Sequence, residues 1–375
     1  MNDLVLKNGR VVDPSQGLDR VADIAFAGGK VAAIGDGLSG VDTRDVTGKI
    51  VSPGLIDLHT HVYWGGTSLG VEAELLARTG GVTTFIDAGS AGPGNFHGFR
   101  KHVIEPSPVR ILPYLNISFP GIFAFSKTVM VGENDDMRLI DAREAVRIAR
   151  EHKDLVLGIK VRVGKSASGD SGIMPMEIAL DVAEECGLPL MAHLDMPPPS
   201  RHDVVSRLRP GDILTHCFRP FPNAPVRADG KVRDEIIAAR ARGVIFDIGH
   251  GGGSFGFGTT RAMLAAGFLP DVISSDVHVI SIEGPAFDLL TTMSKFLCLG
   301  VDLPTVLKLA TVNAADAIKR PDLGTLKIGS VGEATVIDQV SGKFDYADSI
   351  GEHMVGDRRL LSAGVVLAGK WWHPI

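Results

Sequence analysis

Cysteine is scarce: Cys186, Cys217 and Cys298 are the only three among 375 residues, widely spaced and odd in number. That excludes a disulfide framework and a CxxC site, and a reducing cytoplasm is the expected compartment. No stretch of about 18 apolar residues occurs, so no membrane span is expected. The opening Met1-Asn2-Asp3-Leu4-Val5-Leu6-Lys7 lacks the charged-then-apolar order of a signal peptide. Basic blocks are missing too, and the net charge of −6 gives no reason to expect nucleic acid as a partner. There is no internal repeat and no low-complexity segment. What is present is ordinary globular composition, 45% hydrophobic and 22% charged, in a chain long enough for one large domain with an accessory piece. The 45 glycines and 21 prolines fall between periodic segments and mark short turns. Cys186, in the helical pattern Ala183-Glu184-Glu185-Cys186-Gly187, reads as a small core residue.

The first fifty residues read as a small β-meander. Leu4–Lys7 and Arg10–Asp13 flank Asn8-Gly9, a two-residue hairpin signal, and Asp23–Phe26 and Lys30–Ile34 flank a turn at Gly28-Gly29. From Ile50 onward short apolar runs alternate with helical stretches. Eight strand candidates appear: 55–58, 82–87, 110–115, 156–161, 189–193, 212–216, 243–248 and 271–276. Continuous rather than alternating apolar runs fit parallel strands buried on both faces. Helical patterns are clearest over 176–186, 232–242, 286–299 and 303–318, the last opening on Asp302-Leu303-Pro304. Strands return after Arg320-Pro321, at 334–338 and 360–370. The expected fold is α/β: a TIM-type (β/α)8 barrel with a small β-sandwich built from both termini. The expected boundaries are 1–52 and 321–375 for the sandwich and 53–320 for the barrel.

Ligand-capable residues sit at the ends of these strands. His59 and His61 close the first run; residues two apart on a strand point the same way, so two imidazoles converge on one point. The fourth strand carries Lys160, the fifth ends in His193, the sixth in His216 and the eighth in Asp276. In a parallel barrel these C-terminal ends share one mouth, where barrel active sites are built. A lysine among metal ligands would repel cations. Burial and nearby cations lower its pKa, and the neutral amine can add carbon dioxide to give a carbamate able to bridge two metals. The plain alternative is a structural lysine with a buried acidic partner.

At these residues the chain resembles the metal-dependent amidohydrolase superfamily, binuclear carboxylated-lysine type, over nearly its whole length. The likeness rests on Pro53-Gly54-Leu55-Ile56-Asp57-Leu58-His59-Thr60-His61, Gly80-Gly81-Val82-Thr83-Thr84, Gly158-Ile159-Lys160, Ala192-His193, Thr215-His216 and Ser275-Asp276. It continues in Ala310-Thr311-Val312-Asn313-Ala314-Ala315 and in the run from Gly324 to Gly332. The resemblance implies that His59, His61 and Asp276 hold one divalent ion, that His193 and His216 hold the other, and that N6-carboxylated Lys160 bridges them. It implies a metal-bridging hydroxide attacking a carbonyl, with Asp276 as general base and then acid. Histidine, carboxylate and carbamate suit zinc first, with manganese or iron as alternatives.

Two divalent ions against a carbamate, Asp276 and a hydroxide leave the ligand set net positive, which favours a small anionic acylated substrate. Arg162, two beyond Lys160 on the same strand, is placed to grip a carboxylate or to pair structurally under a loop. His278, two beyond Asp276, and Tyr63, after His61, are candidate pocket residues, with Trp64 beside Tyr63. Asp247-Ile248-Gly249-His250-Gly251-Gly252-Gly253 follows the seventh strand, and its glycines allow backbone to approach a ligand, so His250, Gly251 and Gly252 are candidate contacts. It is not a P-loop, because no Gly-Lys-Ser/Thr follows. Dihydroorotases usually carry an arginine where this chain has Tyr63, which moves the expected substrate away from dihydroorotate. Lys160-Val161-Arg162-Val163-Gly164 and the glycine loop resemble a dihydroorotase-like branch named deacetylases, similar to esterases of acetyl-(R)-mandelate. The expectation is therefore an esterase or deacetylase of acetylated α-hydroxy acids. A C–N hydrolase acting on a cyclic amide, an N-acyl amino acid or an isoaspartyl dipeptide is the alternative, and a metal-free scaffold is a third. Homo-oligomer formation stays open.

Overall fold

The structure, a computed structural model, describes residues 1–373; the last two residues of the segment 321–375 lie outside the described residues. Both termini contribute to one eight-stranded sheet. Its N-terminal strands are Asn2–Asp13, Leu18–Ala27, Lys30–Gly35, Gly40–Asp45 and Ile50–Pro53. Its C-terminal strands are Ala334–Ala347, His353–Leu367 and Lys370–Trp372. The two ends of the chain meet where Ile50–Pro53 runs antiparallel to the start of Ala334–Ala347. Leu4, Leu6, Ile24, Val51, Val336 and Val366 form the core of this sheet.

One turn expected here is a bulge instead. Asn8-Gly9 lies within the continuous strand Asn2–Asp13, at a register shift between Leu6 and Gly9. Asn8 takes φ 61°, and Gly9 lies close under the side chains of Val46 and Val51. The left-handed residue that would close a hairpin here kinks one strand and leaves its partner, Leu18–Ala27, to run on past it. The hairpin at Gly28-Gly29 does form, between Leu18–Ala27 and Lys30–Gly35.

The second sheet is parallel and seven-stranded. In order its strands are Leu55–Thr60, Val82–Ala88, Arg110–Asn116, Gly158–Val163, Leu190–Leu194, Ile213–Leu214 and Ile245–Phe246. Both faces are covered, as the unbroken apolar runs require. One face packs Ile56, Leu58, Ile86, Met191, Ile213 and Val272 against Ala314 of the last helix and Ile318 just after it; the other meets the surrounding helices. The segment expected as an eighth strand, 271–276, forms no ladder. It makes single parallel bridges, Asp247 with Val272 on one edge and Thr60 with Val277 on the other.

The same segment explains a break in the final helix, which is expected over 303–318. Two helices are found, Leu303–Leu309 and Val312–Ala317. The Leu309 carbonyl accepts from Ile273 N–H and the Ala310 carbonyl from Ile56 N–H. Those acceptors are committed to strand ends and cannot continue a helix, and Thr311 donates its hydroxyl back to Leu307 O at 2.6 Å. Elsewhere capping is as the residues suggest. Pro175 opens Met174–Cys186 and Gly187, at φ 65°, closes it, while Asp302 caps Leu303–Leu309 through Thr305 N–H. Cys186 is half-buried rather than a core residue. No helix of the described residues is long and apolar enough to cross a membrane.

Candidate active site

The C-terminal ends of the parallel strands open into a cavity of about 330 Å³. Its walls include His59, His61, Arg162, His193, His216, Gly252, Asp276 and His278. His59 and His61 stand at the end of Leu55–Thr60, where alternation turns both rings the same way, their centroids 5.4 Å apart. One oxygen of Asp276 lies 3.3 Å from Nε2 of each. The ligand atoms of these three residues all fall within 4.8 Å of one another, a spacing that a metal ion can fill.

Beside them lies a second group. His193 is the last residue but one of Leu190–Leu194, and His216 follows Ile213–Leu214 with φ 62°; their ring centroids are 4.4 Å apart. His216 is also 5.0 Å from His59, centroid to centroid. Nε2 of His193, Nε2 of His216 and Nζ of Lys160 are all buried without a hydrogen-bond partner. Three unpartnered nitrogens in one place are costly unless something electrophilic joins them. The donor set therefore fits two divalent ions. Lys160, mid-strand in Gly158–Val163, is fully buried. Burial pulls its pKa down to about 7, so the neutral amine is readily available. Burial first, and then charge on Lys160, holds the basicity of His59 well below its usual range. Burial and neighbouring positive charge do the same for His193 and His216, so all present free lone pairs. Asp276 and His216 are non-glycine residues in left-handed backbone, φ 48° and 62°, a strain that recurs at functional sites.

The other expected contacts divide. Arg162 reaches the cavity but pairs with Glu133 at 3.3 Å, its guanidinium 5.0 Å above the Phe125 ring. His278 lines the cavity; its Nδ1 accepts from Ile280 N–H at 3.2 Å, so the neutral ring carries its proton on Nε2. Gly252 is in the wall, and Gly251, φ 53°, lies directly against the Asp276 carboxylate. Tyr63 and His250 correct the expectation of substrate contact. The first parallel strand ends at Thr60, and beyond it the chain turns, so Tyr63 stacks on Phe99 at 4.5 Å and donates to Asn95 O at 3.3 Å. Trp64 is exposed beside it, along a separate groove. His250 points into the protein, stacked on Phe255 at 4.5 Å, with Nε2 accepting from Lys295 Nζ at 2.7 Å.

Several wall residues escape a reading of strand ends. Arg219 donates to Leu194 O at 3.0 Å and to Ser254 Oγ at 3.1 Å. It is held by a carbonyl and a hydroxyl rather than by a carboxylate, unlike Arg162. Leu69, Phe125, Met130 and Ile280 make an apolar wall. All lie in loops, where no periodicity marks them. His216-Cys217-Phe218-Arg219 is the one local cue, an arginine three residues past a candidate ligand.

Gly251 carries a testable consequence. A Cβ there would collide with the Asp276 carboxylate and would sit on left-handed backbone. Gly251→Ala is expected to lower kcat about 10- to 100-fold, a 1 Å displacement of a reacting group being worth that much. Gly35→Ala, on the terminal sheet where a Cβ meets open space, should stay near wild type in the same assay.

No protein-family model matches the chain. A relative from Agrobacterium fabrum, named a deacetylase, is 35% identical over 354 residues, covering 93% of this chain and 86% of that protein. A solved structure described as an adenine deaminase superposes with a TM-score of 0.91 at 31% identity, covering 100% of both chains. Another, described as a dihydroorotase, superposes with a TM-score of 0.91 at 33% identity, covering 100% of this chain and 99% of that one. The chain belongs to the metal-dependent amidohydrolase superfamily, together with the deacetylase it matches. It is a hydrolase of that superfamily.

Proposed function

We propose that this chain is a two-metal deacetylase of small acetylated α-hydroxy acids such as acetyl-(R)-mandelate. The carrying observation is the Lys160 amine, wholly buried and unpartnered among four histidines and Asp276. As an ammonium it would repel cations. As a neutral amine it attacks carbon dioxide, forming an N–C bond and releasing a proton, and the resulting carbamate is an anionic two-oxygen ligand. His59, His61 and Asp276 would hold one ion and His193 and His216 the other, with carboxylated Lys160 between them. When bound, the ions acidify water and polarise a carbonyl; zinc, manganese and iron all suit this donor set. Asp276 takes the proton of the attacking water and returns it to the leaving oxygen. We further read the two single bridges of 271–277 as closing an eight-membered barrel over 53–320, flanked by a sandwich from 1–52 and 321–375.

The cavity wall supports the substrate class. Arg219, with Arg162 beside Glu133, offers positive charge to a carboxylate, and Leu69, Phe125, Met130 and Ile280 offer an apolar surface to its side chain. An N–H of His278 is available to an oxygen. A hydrolysis screen of the metal-loaded protein tests the reading, using acetyl-α-hydroxy acids, the matching N-acetyl amino acids and cyclic amides. Preference for the acetyl esters is expected, and amide-only hydrolysis would overturn it. The similarity to a dihydroorotase structure favours the cyclic amide as the second reading.

Arg219 separates charge recognition from chemistry. A charge-assisted hydrogen bond contributes about 1.5–3 kcal/mol, or roughly 10- to 100-fold. Arg219→Met is expected to raise KM for an acetylated hydroxy acid by that factor. The methyl ester of the same acid, lacking the carboxylate, should change little. Equal loss on both would assign Arg219 to tying the Leu194 strand end to the Ser254 loop instead.

A further inference from the structure

Behind the cavity lies a buried carboxylate, Asp247, that touches no substrate space. Asp247 ends the apolar run Val244-Ile245-Phe246 and is fully buried. Each of its oxygens starts a chain of hydrogen bonds. Oδ2 accepts from Thr215 Oγ1–H at 2.7 Å, and Thr215 Oγ1 lies 2.7 Å from Nδ1 of His59. Having spent its proton on Asp247, that hydroxyl can only accept from His59. Oδ1 accepts from Ser274 Oγ–H at 2.5 Å, and Ser274 Oγ accepts from Gly249 N–H at 2.9 Å. The Gly249 carbonyl in turn takes the Nδ1 proton of His216 at 2.6 Å. Both chains run in one direction, from imidazole N–H to carboxylate.

We infer that Asp247 is a single positioning residue for both halves of the site, fixing His59 and His216 in the Nδ1–H tautomer with Nε2 lone pairs facing the cavity. The inference rests on the two-metal reading for its purpose, but the tautomers themselves exist without metal. The two branches differ in kind. The His59 branch is all side chain and depends on one hydroxyl. The His216 branch passes through Gly249, whose N–H and carbonyl belong to two successive peptide groups, so His216 keeps its carbonyl acceptor whatever stands at 274. The branches therefore respond unequally to mutation, although they meet on one carboxylate. Asparagine at 247 would reverse one branch. Its amide would donate to the hydroxyl, the hydroxyl would donate to Nδ1, and the ring proton would move to Nε2, where a ligand lone pair is needed.

The test uses Thr215→Val, Thr215→Ser, Ser274→Ala and Asp247→Asn. Histidine tautomers are read by nitrogen-15 NMR in the metal-free protein, and zinc affinity by competition with a chelator. Thr215→Val should release His59 from the Nδ1–H form and weaken one zinc about 10- to 100-fold, the usual cost of losing a partner behind a ligand. Thr215→Ser should restore both. Ser274→Ala should cost less than Thr215→Val, and Asp247→Asn should shift at least one histidine to the Nε2–H form. Thr215→Val that keeps the His59 tautomer and wild-type zinc affinity would overturn the inference. Wild-type protein that takes up no zinc would overturn the two-metal reading alone, and the metal-free tautomers would still decide the role of Asp247.

Discussion

Lys160→Met is expected to lose at least about 10³-fold in kcat/KM, close to 4 kcal/mol of transition-state stabilisation, while the metal-free protein stays as stable as wild type or becomes more so. The two halves of this expectation come from one fact. The Lys160 nitrogen is buried and has no hydrogen-bond partner. A lysine kept for structural reasons would have an acidic partner, and its removal would leave that partner unpaired at a cost of about 3–5 kcal/mol. Here methionine replaces the stem at similar volume and removes an amine whose desolvation no hydrogen bond offsets. A thermal melt of the metal-free proteins reads this directly, and a marked fall in Tm for Lys160→Met would identify a structural lysine. The functional half follows because methionine cannot form a carbamate. Metal content should fall below the two ions per chain expected of wild type, and the carbon-13 carbamate resonance expected of wild type with labelled bicarbonate should be absent. A fully active Lys160→Met protein would refute the bridging role.

The cluster around Lys160 was legible in the amino-acid pattern because two rules act together. Strands buried on both faces read as continuous apolar runs, and the polar residue that ends such a run marks the open end of a parallel sheet. His59, His61, His193 and His216 lie at strand ends and Lys160 within one, Asp276 closes an apolar run that forms only single bridges, and the structure brings all six to one place. The rules fail a few residues beyond a strand. Tyr63 follows His61 and reads as a pocket residue, but the backbone leaves the extended form after Thr60 and the ring packs on Phe99. His250 misleads for a related reason. Its glycine neighbours do approach the site, yet its own ring is drawn inward by the Lys295 amine, a residue 45 positions away in sequence. Arg219 and Phe125 reach the cavity through loop paths that carry no period. The broken final helix belongs with these, since its carbonyls are claimed by the backbone N–H groups of Ile56 and Ile273, partners distant along the chain.

Asp276→Asn is expected to lower kcat about 10²- to 10⁴-fold, the range for loss of a positioned general base and acid, and the size of the loss should depend on the leaving group. Asp276 sits 3.3 Å from Nε2 of both His59 and His61, with Gly251 and its left-handed backbone set against its other side. Asparagine keeps the shape and one oxygen, so it can still stand among the histidines. What it cannot do is accept a proton and give it back. An acetyl ester of an aliphatic hydroxy acid leaves as a basic alkoxide and needs that proton as the C–O bond breaks. An acetyl ester of a nitrophenol leaves as a stable anion and needs it far less. A general acid at Asp276 therefore predicts a loss at the upper end of the range for the aliphatic ester and a clearly smaller one for the nitrophenyl ester. If Asp276 served only to bind metal, the two esters would suffer alike, and excess metal would restore both. Kinetics on the ester pair, run at saturating metal, distinguish the cases: equal loss, reversed by metal, would remove Asp276 from the proton path and leave it as a ligand alone.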